Sequence, residues 1–195
     1  MAYSSSQGKA LFKEWLIDFM VVGNINTILD VGPGCGTYGK LVIEALNEVR
    51  KYKEDKTLLL DAVEIFYQYI VEFGLEKTYN RVFLGDIRDF VFTMPDYDLV
   101  ILGDVLEHLE VDEAKTVFLE LKKKTKFIWV SIPCKVEGKR WSYGYHQLPH
   151  EWEVNPAERH THEWTLSEIE SILGPFTWKV PYSVVAVFIA EGDRD

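Results

Sequence analysis

The stretch Asp30-Val31-Gly32-Pro33-Gly34-Cys35-Gly36-Thr37-Tyr38-Gly39 decides how the rest of the chain is read. Ahead of it, Asn26 to Val31 is short, apolar and β-branched, which predicts a buried strand. Behind it, Thr37 to Lys51 carries Leu41, Ala45, Leu46 and Val49 and reads as a helix. A glycine-rich turn between such elements lets the backbone double back tightly and lets a ligand approach closer than any Cβ would permit. The helix start adds free N–H groups and the positive end of a dipole. In Asp30-x-Gly32-x-Gly34-x-Gly36 an acid stands two residues before the first glycine. A carboxylate there would face a pyrophosphate unfavourably; it suits a cationic ligand.

Working outward, the chain alternates strands and helices. Leu58 to Ile65 predicts a second strand and Tyr67 to Leu75 a helix; Arg81 to Leu84 predicts a third strand and Asp98 to Leu102 a fourth. Asp112 to Lys124 is a helix with Lys122, Lys123 and Lys124 at the negative end of its dipole, and Phe127 to Ile132 is a fifth strand. Before the glycine turn, Leu11, Trp15, Phe19 and Val22 fall at helical spacing, giving an amphipathic helix that ends near Gly23. Near-continuous apolar strands alternating with helices imply a parallel sheet covered on both faces. Later the rhythm changes. Thr165-Leu166-Ser167-Glu168 is a capping box opening a helix to about Leu173, closed by Gly174-Pro175. Phe176 to Val180 and Val184 to Ala190 then read as a hairpin, which would leave the sheet with a mixed edge.

Composition sets the bounds. A length of 195 residues with 47% hydrophobic and 27% charged residues describes one folded domain, 1–195, with no internal repeat. The longest apolar run, Val184 to Ala190, is far short of the roughly 20 residues that span a bilayer, so no membrane segment is expected. The N-terminus shows no basic region leading into an apolar stretch, and two cysteines, Cys35 and Cys134, make no disulfide scaffold. The expected compartment is a reducing cytoplasm. A net charge of −10 counts against nucleic acid as a partner, although Lys135, Lys139 and Arg140 form a modest basic patch.

With these motifs in place, the sequence resembles the class I S-adenosylmethionine (SAM)-dependent methyltransferases. Leu29 to Gly36 looks like that family's first motif, Val63-Glu64-Ile65 its second, Gly85-Asp86-Ile87 its third, and Leu102-Gly103-Asp104-Val105-Leu106-Glu107-His108-Leu109 the segment after strand four. The likeness covers about residues 25–135 plus the terminal hairpin. It implies a Rossmann-like, doubly wound α/β fold: a mostly parallel seven-stranded sheet with an antiparallel terminal hairpin. It implies SAM as cofactor, held by Asp30, Gly32, Gly34, Gly36, Glu64, Ile65, Asp86, Ile87, Gly103 and Asp104. By that analogy Glu64 accepts from the ribose hydroxyls, Asp86 accepts from the adenine amino group, and the segment from Gly103 borders the methionine end. Gly34 to Gly39 also matches GxGxxG literally, which leaves a nicotinamide oxidoreductase as a residual alternative that Asp30 and the fourth motif both oppose.

The methyl acceptor is less legible. Base-modifying amino-methyltransferases carry Asn/Asp-Pro-Pro-Tyr/Phe after strand four; here that place is Gly103-Asp104-Val105-Leu106. The segment 135–163 is an insertion rich in Trp141, Tyr143, Tyr145, Trp152, His146, His150, His160 and His162, and is the expected substrate side, with residues 1–22 as an N-terminal cap helix. Its aromatics could stack on a substrate ring or pack the loop onto the domain. The leading expectation is O-methylation of a small molecule or glycan, with His108 and His146 as candidate catalytic groups. Alternatives are a protein or RNA methyltransferase, or a SAM-binding regulatory or structural subunit. No spacing among the histidines is a zinc signature, so no metal is expected.

Overall fold

The seven strands pair in the order β3-β2-β1-β4-β5-β7-β6, in a computed structural model that describes residues 6–22, 25–134, 153–181 and 185–194. They are β1 (Thr27–Val31), β2 (Leu59–Glu64), β3 (Arg81–Leu84), β4 (Tyr97–Gly103), β5 (Thr125–Pro133), β6 (Trp178–Pro181) and β7 (Val185–Glu191). The helices are α1 (Ser6–Val22), α2 (Thr37–Arg50), α3 (Tyr67–Glu72), α4 (Ile87–Thr93), α5 (Val111–Lys122) and α6 (Leu166–Leu173). β1 to β5 run parallel, and β7 lies antiparallel to both β5 and β6. The chain winds outward from β1 to β3, then crosses back to β4 on the other side of β1. Such a reversal opens a crevice at the carboxyl ends of the two diverging strands.

Side chains alternate across each strand, so every central strand feeds two cores. On one face Ile28, Leu99, Ile101 and Trp129 meet α1 and α2 through Phe12, Leu16, Met20, Val42 and Val49. On the other, Leu29, Val100, Leu102 and Val130 meet α4, α5 and α6 through Val91, Phe118, Leu121 and Ile169.

Helix α1 is a core layer from Phe12 to Met20, with Phe12, Leu16 and Met20 fully buried against the sheet. Three local readings change. The expected helix to Leu75 breaks after Glu72, because Gly74 takes φ +59° and starts a separate 3-10 turn at Leu75–Lys77. Helix α4 was not anticipated: it is under two turns long, which leaves too few positions for a periodic signal. The last hairpin begins at Trp178 rather than Phe176, whose ring instead lies 4.3 Å from that of Phe188.

Candidate functional site

The glycine turn follows directly from β1. Gly32 donates its N–H to the Val63 carbonyl at 2.9 Å, tying the turn to β2. Gly32, Gly34 and Gly36 all take positive φ (60°, 53° and 74°), the left-handed region that L-residues with a Cβ avoid.

Asp30 lies beneath the turn, not in it. Its carboxylate is 1% exposed and accepts a hydrogen bond from the Tyr79 hydroxyl, with the Gly39 N–H also directed to it. The tyrosine reaches that position because Gly39 lacks a side chain: a Cβ there would sit 2.4 Å from the Tyr79 oxygen. Burial pushes the Asp30 carboxyl up to about 7; Tyr79 and Gly39 pull it down, and the neighbouring charge of Glu64 adds to the rise. Asp30 ties the strand to helix α2 and to Tyr79.

Glu64 closes β2 and turns toward the glycines. It is 3% exposed; Oε2 accepts from the Gly34 N–H at 3.3 Å and Oε1 from the Phe66 N–H at 2.9 Å. Burial raises its carboxyl above the usual range, opposed by those backbone donors. Ile65 beside it is exposed. Asp86, after β3, caps α4 by accepting from the Arg88 N–H at 2.9 Å, and its carboxylate also binds the Arg88 guanidinium. Burial pushes its carboxyl up, but the Arg88 side chain and backbone outweigh it and hold Asp86 below the ordinary value. Ile87 is buried in the core beneath.

After β4 the chain turns sharply. The ring of Tyr38 lies over Gly103 so closely that a Cβ would fall 2.2 Å from it. Asp104 has φ +59°, the only positive φ outside glycine among the described residues, and such strain is concentrated at functional sites. Two bonds hold it there: its N–H donates to the Ser131 carbonyl at 2.8 Å, and the Ser131 hydroxyl to its Oδ1 at 3.1 Å.

The 3-10 turn Leu106–His108 follows. Glu107 is 2% exposed, and its Oε2 is buried with no hydrogen-bond partner. Burial, then the charge of Asp104, pushes this carboxyl well above the carboxylate range. His108 Nε2 lies 4.0 Å from Glu107 Oε1. Burial, then His160, lowers the His108 imidazole to about 4, against the pull of the Glu158 and Arg159 backbone. The His160 ring meets it edge to face at 4.9 Å, carried by a segment that Thr161 fastens to this turn, N–H to the Glu107 carbonyl and Oγ1 to the Leu109 carbonyl.

His146 and His150 lie outside the described residues, as do residues 135–152. His162 turns away, toward Glu168 and the ring of Trp164. Tyr79 and Glu107 were passed over in the sequence. Tyr79 carries no motif, and Glu107 reads as an ordinary turn acid until His160 arrives from 53 residues downstream.

No family model matches the chain, and no curated protein matches it in sequence. Solved structures do match in fold. The N-terminal domain of EvdMO1 with S-adenosylhomocysteine (SAH) bound is 13% identical, with 97% of this chain and 82% of that one covered at a TM-score of 0.62. The magnesium protoporphyrin IX methyltransferase ChlM of Synechocystis PCC 6803 with bound SAM is 16% identical, covering 96% and 81%, with a TM-score of 0.60. The mitomycin 7-O-methyltransferase MmcR is 16% identical, covering 96% of this chain and 55% of that one, with a TM-score of 0.59. The chain has the fold these methyltransferases share.

Proposed function

We propose that this protein is a SAM-dependent methyltransferase that methylates a hydroxyl of a small molecule or glycan. Glu64 carries the reading: a buried carboxylate at the carboxyl end of β2, bonded to the N–H of the very glycine turn that opens the crevice. A ligand with vicinal hydroxyls can use both of its oxygens, and hydrogen bonds to a charged group are worth about 1.5–3 kcal/mol. Gly32, Gly34 and Gly36 would shape the wall against which the cofactor lies. Ile65 flanks the ribose, and Asp86 offers the adenine amino group its remaining lone pairs while Arg88 holds it in place. Ile87 supports Asp86 from the core. Gly103 and Asp104 border the methionine end. Asp30 is a positioning residue, acting through the turn.

Methyl transfer from a sulfonium is an in-line displacement. The acceptor's lone pair forms the bond to the methyl carbon, and the sulfur–methyl electron pair returns to sulfur. The protein's main task is to hold the two reacting atoms about 3–3.5 Å apart. Oxygen as acceptor is supported by the absence of a base-modifying motif at Gly103-Asp104-Val105-Leu106 and by the O-methyltransferase MmcR among the structural neighbours. Calorimetric titration with SAH, with NAD as comparison ligand, tests the cofactor. Micromolar SAH binding without NAD binding is the expected result. NAD binding, or no SAH binding, would refute the cofactor assignment; SAH binding with no turnover on any hydroxyl acceptor would refute the oxygen acceptor.

A further inference from the structure

We propose that Glu107, His108 and His160 form a binding site for one divalent transition-metal ion. One donor atom from each residue can be chosen so that all lie within 4.8 Å of one another. Tetrahedral ligands at bond lengths of about 2.1 Å stand about 3.4 Å apart, so the set has to draw in by about an ångström. The backbone already brings the parts together. Thr161 bonds the Glu107 and Leu109 carbonyls at 2.9 and 2.7 Å, which seats His160 on the turn that carries the other two donors. His160 itself stands in irregular chain between the 3-10 turn Pro156–Glu158 and α6, where a small shift breaks no helix or strand bond.

The second observation is Glu107. Its side chain is 2% exposed and its Oε2 has no hydrogen-bond partner. Buried polar groups in folded proteins are almost always satisfied, and a carboxyl oxygen left bare costs stability unless something compensates it. Edge-to-face packing of His108 on His160 accounts for the two rings without any ion, yet leaves that oxygen unexplained. A cation bound by this carboxylate and the two imidazoles would give the buried charge of Glu107 a counter-charge. Neutral imidazole ligates through either ring nitrogen. Two imidazoles and one carboxylate suit zinc, manganese, iron or cobalt better than magnesium or calcium, and three protein ligands leave a coordination position open.

The site lies three residues beyond Asp104, at the methionine end of the crevice, so its use rests on the methyltransferase reading. A cation there lowers the pKa of a hydroxyl that reaches it. The hydroxyl proton goes to solvent, the oxygen lone pair attacks the methyl carbon, and the sulfur keeps the electrons of the broken bond. This would supply the activation that transfer of a methyl group to a hydroxyl needs.

The test is Co2+ titration of the chelator-treated full chain, followed by visible d–d absorption and calorimetry, beside an independent SAH titration. Expected are one equivalent of Co2+ displaced by Zn2+, and affinity lowered about tenfold or more in both Glu107→Gln and His160→Ala. Because Glu107 is buried, His160→Ala, on the irregular segment, carries the decision. No Co2+ binding, or binding that His160→Ala leaves unchanged, overturns the site. SAH binding in that case leaves the cofactor reading standing, whereas Co2+ binding without SAH binding removes the cofactor reading and keeps the metal.

Discussion

Replacing Asp30 by Asn should make the protein's stability less sensitive to pH in a defined direction. Asp30 is 1% exposed, and its carboxyl is pushed from 3.8 to about 7, chiefly by burial. In the unfolded chain an aspartate ionises near 3.9. Between those values the folded chain therefore holds a proton that the unfolded chain has released. Unfolding free energy then falls as pH rises, at about 1.4 kcal/mol per pH unit, and levels off above the folded value. From pH 5.5 to 8 the wild-type protein should lose about 2 kcal/mol on this account. Asn cannot titrate, and its Oδ1 can still accept from the Tyr79 hydroxyl. Other groups titrate alike in both proteins, so the difference between their urea-derived stabilities isolates Asp30. The Asn variant should gain about 2 kcal/mol on wild type between pH 5.5 and 8. Parallel pH curves would refute the reasoning, because they would mean Asp30 is already ionised at the lower pH.

Glu64→Gln keeps the shape of the strand end but removes its charge, and SAH affinity should fall about 10- to 100-fold in calorimetry with the far-UV spectrum unchanged. Leu16→Ala, in the fully buried middle of α1, should cost about 2–5 kcal/mol in urea unfolding. A cost near zero would refute the place of α1 in the core. Gly103→Ala drives a Cβ to 2.2 Å from the Tyr38 ring and should cost about 1–3 kcal/mol in unfolding, as overpacking does. Tyr38→Ala should recover part of that loss in the double variant.

The strand–helix alternation was plain in the sequence because apolar runs such as Asp98 to Leu102 are bounded by turn residues, and a buried parallel strand has little freedom to read as anything else. The glycine turn was equally legible, since positive φ at Gly32, Gly34 and Gly36 leaves a compositional trace. Roles that depend on long-range contact left none. Nothing in Asp30 announces that Tyr79 will cover it, because that contact needs the bare backbone of Gly39. Asp86 reads as a strand-end acid; its second use, capping α4, was hidden because α4 is too short to show a period. His108 was noticed for its type and Glu107 was not, although only their meeting with His160 gives either a chemical reading.

The buried acids show how position along a strand separates architecture from chemistry. Asp98, near the amino end of β4, accepts from the Asn26 and Thr27 N–H groups at 2.8 and 3.0 Å and has Lys126 and Arg194 beside it. Asp61, within β2, is bound by the Arg81 guanidinium and the Tyr97 hydroxyl. Both are satisfied by side chains or backbone fixed elsewhere in the sheet, as a structural acid must be. Toward the carboxyl edge the satisfaction thins. Among the described residues Glu64 has backbone N–H groups and no cation, and Glu107 keeps an oxygen with no hydrogen-bond partner. The charge of Glu158 raises both of these carboxyls further. An edge that gathers under-compensated acids is destabilising by itself, and it persists in a folded protein most readily if ligands with hydroxyls, amines or positive charge complete it. This is the ground on which we propose the crevice above β1, β2 and β4 as a binding site, whichever acceptor it serves.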